Sequence, residues 1–351
     1  MRIFTKIASA FAVAVVSAVG FSPTFYSSPA WAQDGGEVTV YSYRQPFLIR
    51  PLLNEFERDT GVNVNILFAK SGLLERVAIE GENSPADVIL TVDIGRLTQG
   101  VSDGITQPVA SAVLEGNIPA QYRDPDGHWF GLTRRARVVY ASKERVSEAR
   151  ITYESLADEK WRERICIRDG QHVYNIALFA AVLAHHGEAA ARAWLEGVRD
   201  NLARAPAGND RAQVRGVFAG ECDIAIGNTY YMGAMQTNDD KPEQKQWADS
   251  VRILFPTFEG GGTHVNLSGM MMARHAPNRK NALRLMEYLS GEGAQEIYAE
   301  VNFEYPVDAG VPWSERARSW GEFESDGLTL AEIAAHRKAA SRLVDEVDFN
   351  R

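Results

Sequence analysis

Short runs rich in β-branched and aromatic residues alternate with amphipathic stretches of helical period along nearly the whole chain. That alternation is the pattern of an α/β protein with mainly parallel sheets. Glu37–Ser42 reads as a strand, Leu48, Leu52, Leu53 and Phe56 recur at helical spacing within residues 47–60, and residues 62–67 alternate as the next strand. Gly61 is placed to stop the helix between them, since glycine alone accepts a left-handed backbone without penalty. A second helix over residues 72–81 leads through Ser84-Pro85 into a buried-strand run at residues 86–91, which ends in the polar turn of Asp93. Residues 129–132 and 137–140 flank a cluster of arginines, and together they are long enough for one strand to pass from one lobe into another. Helices over residues 175–186 and 189–202, with a strand at 223–226, belong to that second lobe. The run 252–256, the turn Gly260-Gly261-Gly262 and a strand at 270–273 mark the return crossing.

The N-terminus carries a different pattern. Arg2 and Lys6 precede an apolar stretch at residues 7–21, and Ala30-Trp31-Ala32 offers a small-x-small cleavage site, so residues 1–32 read as a signal peptide. No cysteine follows Ala32 to take a lipid, and no later segment reaches 18 unbroken apolar residues, so no membrane insertion is expected after cleavage. The remaining 319 residues exceed what one core usually organises, which predicts two domains. Cleavage removes two basic residues and takes the net charge from −9 to −11, which excludes a general nucleic-acid binder and mildly attracts cations. Cys166 and Cys222 are the only cysteines, each at the start of a strand-like run. In an oxidising compartment they are expected to form a disulfide, with a pair of buried free thiols as the alternative.

Signatures of catalysis are missing: the chain has no G-x-S-x-G elbow, no H-E-x-x-H helix and no G-x-G-x-x-G after a strand. The seven histidines are scattered, and the pair His185-His186 suits a helix end. The tyrosines are more informative. Tyr230-Tyr231 stand just beyond the C-terminal end of a buried strand, where open α/β sheets bind ligands, and Thr229 is the expected N-cap of the helix that they open. Tyr174 occupies the same place after the strand at residues 164–168. Three phenolates are hard donors suited to a small, highly charged cation such as Fe³⁺, whereas Ca²⁺ or Mg²⁺ would recruit carboxylates and Zn²⁺ would recruit His or Cys. Aromatic packing, or a cage around an organic cation such as a polyamine or thiamine, is the competing reading of these tyrosines.

Several stretches taken together resemble the periplasmic ferric iron-binding proteins of ABC transporters, the FbpA/FutA family. They are Tyr41-Ser42-Tyr43-Arg44-Gln45-Pro46, Ser84-Pro85-Ala86-Asp87-Val88, Thr91-Val92-Asp93-Ile94-Gly95-Arg96-Leu97, Trp129-Phe130-Gly131-Leu132-Thr133-Arg134-Arg135-Ala136-Arg137, Tyr174-Asn175, Gly208-Asn209-Asp210 and Gly227-Asn228-Thr229-Tyr230-Tyr231. The resemblance implies a two-lobed periplasmic-binding-protein fold of type II, with a hinge and a ligand cleft between the lobes. It also implies a monomeric, non-enzymatic protein that delivers its ligand to an inner-membrane ABC permease. The lobes are then expected at residues 33–135 with 258–308, and at 136–257 with 309–351. Tyr174, Tyr230 and Tyr231 match the family's iron ligands. Many relatives carry Arg-His-Tyr after the first strand and use that His or Tyr as a further ligand, whereas this chain has Arg44-Gln45-Pro46. It therefore resembles the branch that completes the metal shell with an anion such as carbonate. Arg135 and Gln45 are the candidates to hold that anion, with Arg44 and Asn175 as further candidates for anion binding or support.

Overall fold

A computed structural model describes residues 35–351, and the expected signal segment at residues 1–32 lies outside the described residues. The strands are β1 (Glu37–Ser42), β2 (Asn63–Phe68), β3 (Val88–Thr91), β4 (Phe130–Ser142), β5 (Ile165–Cys166), β6 (Ile224–Asn228), β7 (Val251–Leu254), β8 (Val265–Met272) and β9 (Tyr305–Pro306). They join in the order β2-β1-β3-β8-β4-β6-β5, with β7 and β9 also paired to β4. Helices cover the sheets, and the architecture is a two-lobed α/β fold.

One strand joins the two halves. β4 pairs antiparallel with β8 over Phe130 to Ala136 and then, without a break, with β6 and β7 from Arg137 to Ser142. The arginine-bearing run expected to be a hinge strand is thus a single strand shared by both halves. The expectation of mainly parallel sheets needs correction. Only β1 with β2, β1 with β3, and β5 with β6 are parallel, while β3 with β8 and every partner of β4 are antiparallel. The reason is topological: a chain that crosses between lobes and returns must lay its outgoing and returning strands side by side in opposite directions.

The local elements form for the anticipated reasons. Pro46 opens the helix Pro46–Thr60, where its missing N–H costs nothing, and Gly61 closes it at φ 70°, its N–H donating to the Glu57 carbonyl. The helix Val173–Asp200 is broken at Gly187, whose φ of 77° and ψ of 172° divide it into the two helices expected there. Apolar faces gather on each half of the sheet. Val40, Leu53, Phe56, Leu90, Met271 and Leu285 belong to one core, and Val139, Trp161, Phe179, Ile226, Leu195 and Leu343 to another. Among the described residues no helix is long and apolar enough to cross a membrane.

Cys166 and Cys222 are joined in a disulfide that ties the end of β5 to the turn before β6, neighbouring parallel strands. The bond closes a loop across 56 positions. On the chain-entropy account such a loop stabilises by about 4 kcal/mol. Reduction under native conditions is expected to lower the urea midpoint by a corresponding amount, and an unchanged midpoint in the reduced protein would contradict that role.

Candidate functional site

The C-terminal end of β6 delivers the chain into the site. Tyr230 opens the helix Tyr230–Gln236 directly after Asn228 and Thr229. Thr229 does not act as the expected side-chain cap, because it is itself helical at φ −50° and ψ −46° and its side chain makes no capping bond. The turn is fixed from the hinge strand instead: the Thr229 N–H donates to the Ala136 carbonyl at 3.1 Å, and the buried Tyr140 hydroxyl donates to the Asn228 carbonyl.

Tyr174 arrives from the other side, in the first turn of Val173–Asp200. His172 caps that helix, its Nδ1 accepting the Tyr174 N–H at 3.2 Å and its ring meeting the Tyr174 ring edge-on at 4.6 Å. Burial, helped by Arg168, pushes the His172 pKa down to about 3, so the ring is neutral and keeps the lone pair that the cap uses. The result is a close group of phenols. The hydroxyls of Tyr174 and Tyr230 lie 3.2 Å apart, and the rings of Tyr230 and Tyr231 stack at 4.4 Å. All three line one cavity of about 460 Å³ that also receives Arg44, Gln45, Ser268 and Glu304 from the opposite half.

A buried charge network lies beneath the phenols. Asp210 accepts from Arg137 at 3.0 Å, from Arg168 at 2.9 Å and from the Asn228 N–H at 2.9 Å. Burial opposes its ionisation, but the two guanidinium groups and that N–H outweigh burial and hold the carboxyl below its usual range. Asn175 belongs to this support: it accepts from Arg137 at 2.5 Å and donates to the carbonyls of Arg168 and Asp169, and it is not on the cavity wall.

The opposite wall separates Arg44 from Arg135. Arg44 is buried in an ion pair with Glu304, which also accepts from the Thr133 hydroxyl. Its charge is therefore matched. Arg135 is 1% exposed and donates once, from Nη1 to the Ser268 hydroxyl at 2.9 Å, while its Nε and Nη2 have no hydrogen-bond partner. Its guanidinium carbon sits 5.4 Å from the centre of the Tyr174 ring. Arg135 lines the cavity and no carboxylate matches its charge, so this wall carries a net positive charge that favours an anion. Gln45 is exposed on the same wall.

Tyr230 and Tyr231 are set to stay protonated in the absence of a cation. Burial, then the neighbouring Tyr174 and Tyr231, pushes the Tyr230 phenol well above its ordinary value, and burial followed by Tyr174 and Asp210 raises Tyr231. Among the described residues no group of three or more His, Cys, Asp or Glu side chains could hold a metal. Ser268, Glu304, Asp210 and His172 all act in the site, yet sequence reasoning gave none of them a role. Glu304 meets Arg44 across 260 positions, a separation that no local pattern encodes.

With this geometry in view, similarity to known proteins becomes informative. Residues 83–323 match the bacterial extracellular solute-binding protein family, and the chain belongs to it. It is 43% identical to iron uptake protein A1 of Synechocystis sp. over 99% of this chain and 98% of that one. Among solved structures, apo ferric ion-binding protein A of Pasteurella haemolytica superposes with a TM-score of 0.86 at 51% identity, over 90% of this chain and 98% of the other. The Trichodesmium protein FutA, solved with iron and citrate, superposes at 0.84 and 40% identity, over 90% of this chain and all of its own.

Proposed function

We propose that this chain captures ferric iron in the periplasm and delivers it to an inner-membrane ABC permease, with Tyr174, Tyr230 and Tyr231 as ligands. The observation that carries this reading is the convergence of three phenols, two of them with hydroxyls 3.2 Å apart, on one wall of a cleft. Burial, and after it crowding, raises the cost of ionising Tyr230 and Tyr231, a cost that Fe³⁺ can offset because three phenolates neutralise it. The names of the relatives, an iron uptake protein and ferric ion-binding proteins, support the same ligand. The lobes are assigned to residues 33–135 with 258–308, and to 136–257 with 309–351.

Three phenolates leave about half of an octahedral shell open, and a bidentate anion such as carbonate fills two of the remaining positions. Arg135 is the residue suited to it, because it lines the cavity and no carboxylate matches its charge. Gln45 lies on the same wall, whereas Arg44 is committed to Glu304 and Asn175 supports Arg137, so neither of these two contacts the anion. An organic cation such as a polyamine or thiamine fits less well. The only carboxylates on the cavity wall are Glu304, already paired, and the exposed Asp240, against the unmatched guanidinium of Arg135.

Iron titration with and without bicarbonate tests the assignment. Wild-type protein is expected to bind iron with a visible phenolate charge-transfer band and to bind more tightly when bicarbonate is present. Arg135→Ala should lose most of that bicarbonate-dependent gain, about 10-fold or more in affinity, because a charge-assisted pair to the anion is removed. Equal affinity with and without bicarbonate, unchanged in Arg135→Ala, would mean that other groups complete the shell.

A further inference from the structure

The helix Tyr230–Gln236, which opens with two of the proposed iron ligands, is met at Gly233 by a residue from the opposite half. Met232 and Met235 anchor this helix in a core shared with Val138 and Cys166. The helix Glu292–Asn302 packs instead through Ala294 and Tyr298 into the core that holds Leu53 and Phe56. Phe303 follows that second helix directly, and its ring lies against Gly233. The approach leaves no room for a side chain: a Cβ added at Gly233 would stand 2.5 Å from Phe303 Cδ2 and 2.9 Å from its Cβ. Both partners are poor local choices. Glycine inside a helix weakens it, and Phe303 takes the left-handed backbone, at φ 57° and ψ 28°, that a bulky side chain resists. Two locally unfavourable residues in contact mark a place that the surrounding fold maintains. Arg316 spans the contact, its guanidinium carbon 5.8 Å from the centre of the Phe303 ring and its Nη1 donating to the Gln236 side chain at 3.3 Å.

We propose that Phe303 is a positioning residue for iron capture: seated in the notch at Gly233, its ring fixes the helix that presents Tyr230 and Tyr231. The inference rests on the proposed iron site and adds to it a residue that acts through the phenols. Tyr230 and Gly233 are three positions apart and so share a face of the helix. Donor oxygens must be held within about 0.5 Å of their working geometry, which a helix of seven residues does not secure alone. The Thr229 N–H and the two methionines tie it to its own half, but methionine side chains are flexible and define an orientation loosely. The stiff ring of Phe303, reaching in from the other core one turn past Tyr230, supplies the missing fixed point. Phe303 also lines the same cavity as both tyrosines, so a shift of its ring is felt where they meet the metal.

The test measures ferric iron affinity in bicarbonate buffer, the phenolate band and iron release to excess EDTA. Wild-type protein is compared with Phe303→Gly, Phe303→Asn, Gly233→Ala and Gly233→Ala/Phe303→Gly. Glycine and asparagine accept the left-handed backbone, so both Phe303 variants delete the ring without adding strain, and their metal-free melting temperatures should stay close to wild type. Affinity should fall about 10-fold or more, since a partner that orients a metal ligand commonly contributes about 10–100-fold. Release should quicken by a similar factor, and the phenolate band should shift. Gly233→Ala, whose methyl pushes against the ring, should lose affinity alike. The double variant should lose no more than either single one, because the methyl then enters the space that the ring has left. Unchanged affinity and band in both Phe303 variants, or additive losses in the double variant, would overturn the proposal. So would losses that track a lowered melting temperature with the band unmoved, the mark of a merely structural residue. Failure of wild-type protein to bind iron with a phenolate band would instead overturn the iron site itself.

Discussion

Replacement of Tyr230 or Tyr231 by phenylalanine is expected to weaken ferric iron binding by about 100-fold or more and to bleach or shift the visible band. Loss of a partner that merely orients a metal ligand commonly costs about 10–100-fold, so loss of a ligand belongs at or beyond the top of that range. The rings stack at 4.4 Å, and phenylalanine keeps that stacking while deleting only the donor oxygen. Circular dichroism and melting of the apo variants should therefore stay close to wild type, which separates lost coordination from lost structure. Tyr174→Phe should behave alike, and it also removes the 3.2 Å contact with the Tyr230 hydroxyl.

The same phenols fix the direction of the pH dependence. Burial and mutual crowding raise the pKa values of Tyr230 and Tyr231, so both are protonated in the metal-free protein at neutral pH and must release a proton to bind iron. Binding that releases protons strengthens as pH rises and weakens on acidification. Iron should thus leave on acidification, and the slope of log affinity against pH should become shallower in each Tyr→Phe variant, because one fewer proton is released.

Asp210→Ala carries the largest expected effect on stability. The carboxylate stands between Arg137 and Arg168, and all three are largely removed from water. Truncating it leaves two buried guanidinium groups without their counter-ion, a loss of about 3–5 kcal/mol. Chemical denaturation of the apo protein would show this as a lowered midpoint with little change in slope. A companion change, Arg137→Met in the Asp210→Ala background, should recover part of the loss by removing one stranded charge. If Asp210→Ala unfolds at the wild-type midpoint, the network beneath the phenols is not a stabilising element. Iron binding should also suffer, since Asp210 holds the Asn228 N–H at the turn that presents Tyr230.

The sequence carried the site unevenly. Tyr174 and Tyr230-Tyr231 were legible because each follows a short strand, and an α/β sheet places such positions at one edge. The strand β4 was legible as a crossing element because its apolar positions continue through the arginine cluster for longer than one lobe needs. The direction of strand pairing was not legible: period-2 patterning says that a strand is buried but nothing about its neighbour, and β4 and β8 turn out antiparallel. The Thr229 cap was misread because residue type favoured a capping role that the backbone, already helical at that position, does not permit. Arg135 stood ahead of Arg44 as the anion candidate, but the reason for that order was not legible. Both are basic residues in stretches that carry the family resemblance, and only the fold brings Glu304 to one of them and leaves the other with two free donors.

Resonance Raman spectroscopy of the iron-loaded protein, excited within its visible band, tests the central claim most directly, because only side chains bonded to the metal gain intensity. The expected spectrum shows ring modes of metal-bound phenolate that weaken in each of Tyr174→Phe, Tyr230→Phe and Tyr231→Phe and vanish when all three are changed. Iron bound at wild-type affinity without phenolate modes, or with modes untouched by the triple substitution, would contradict it.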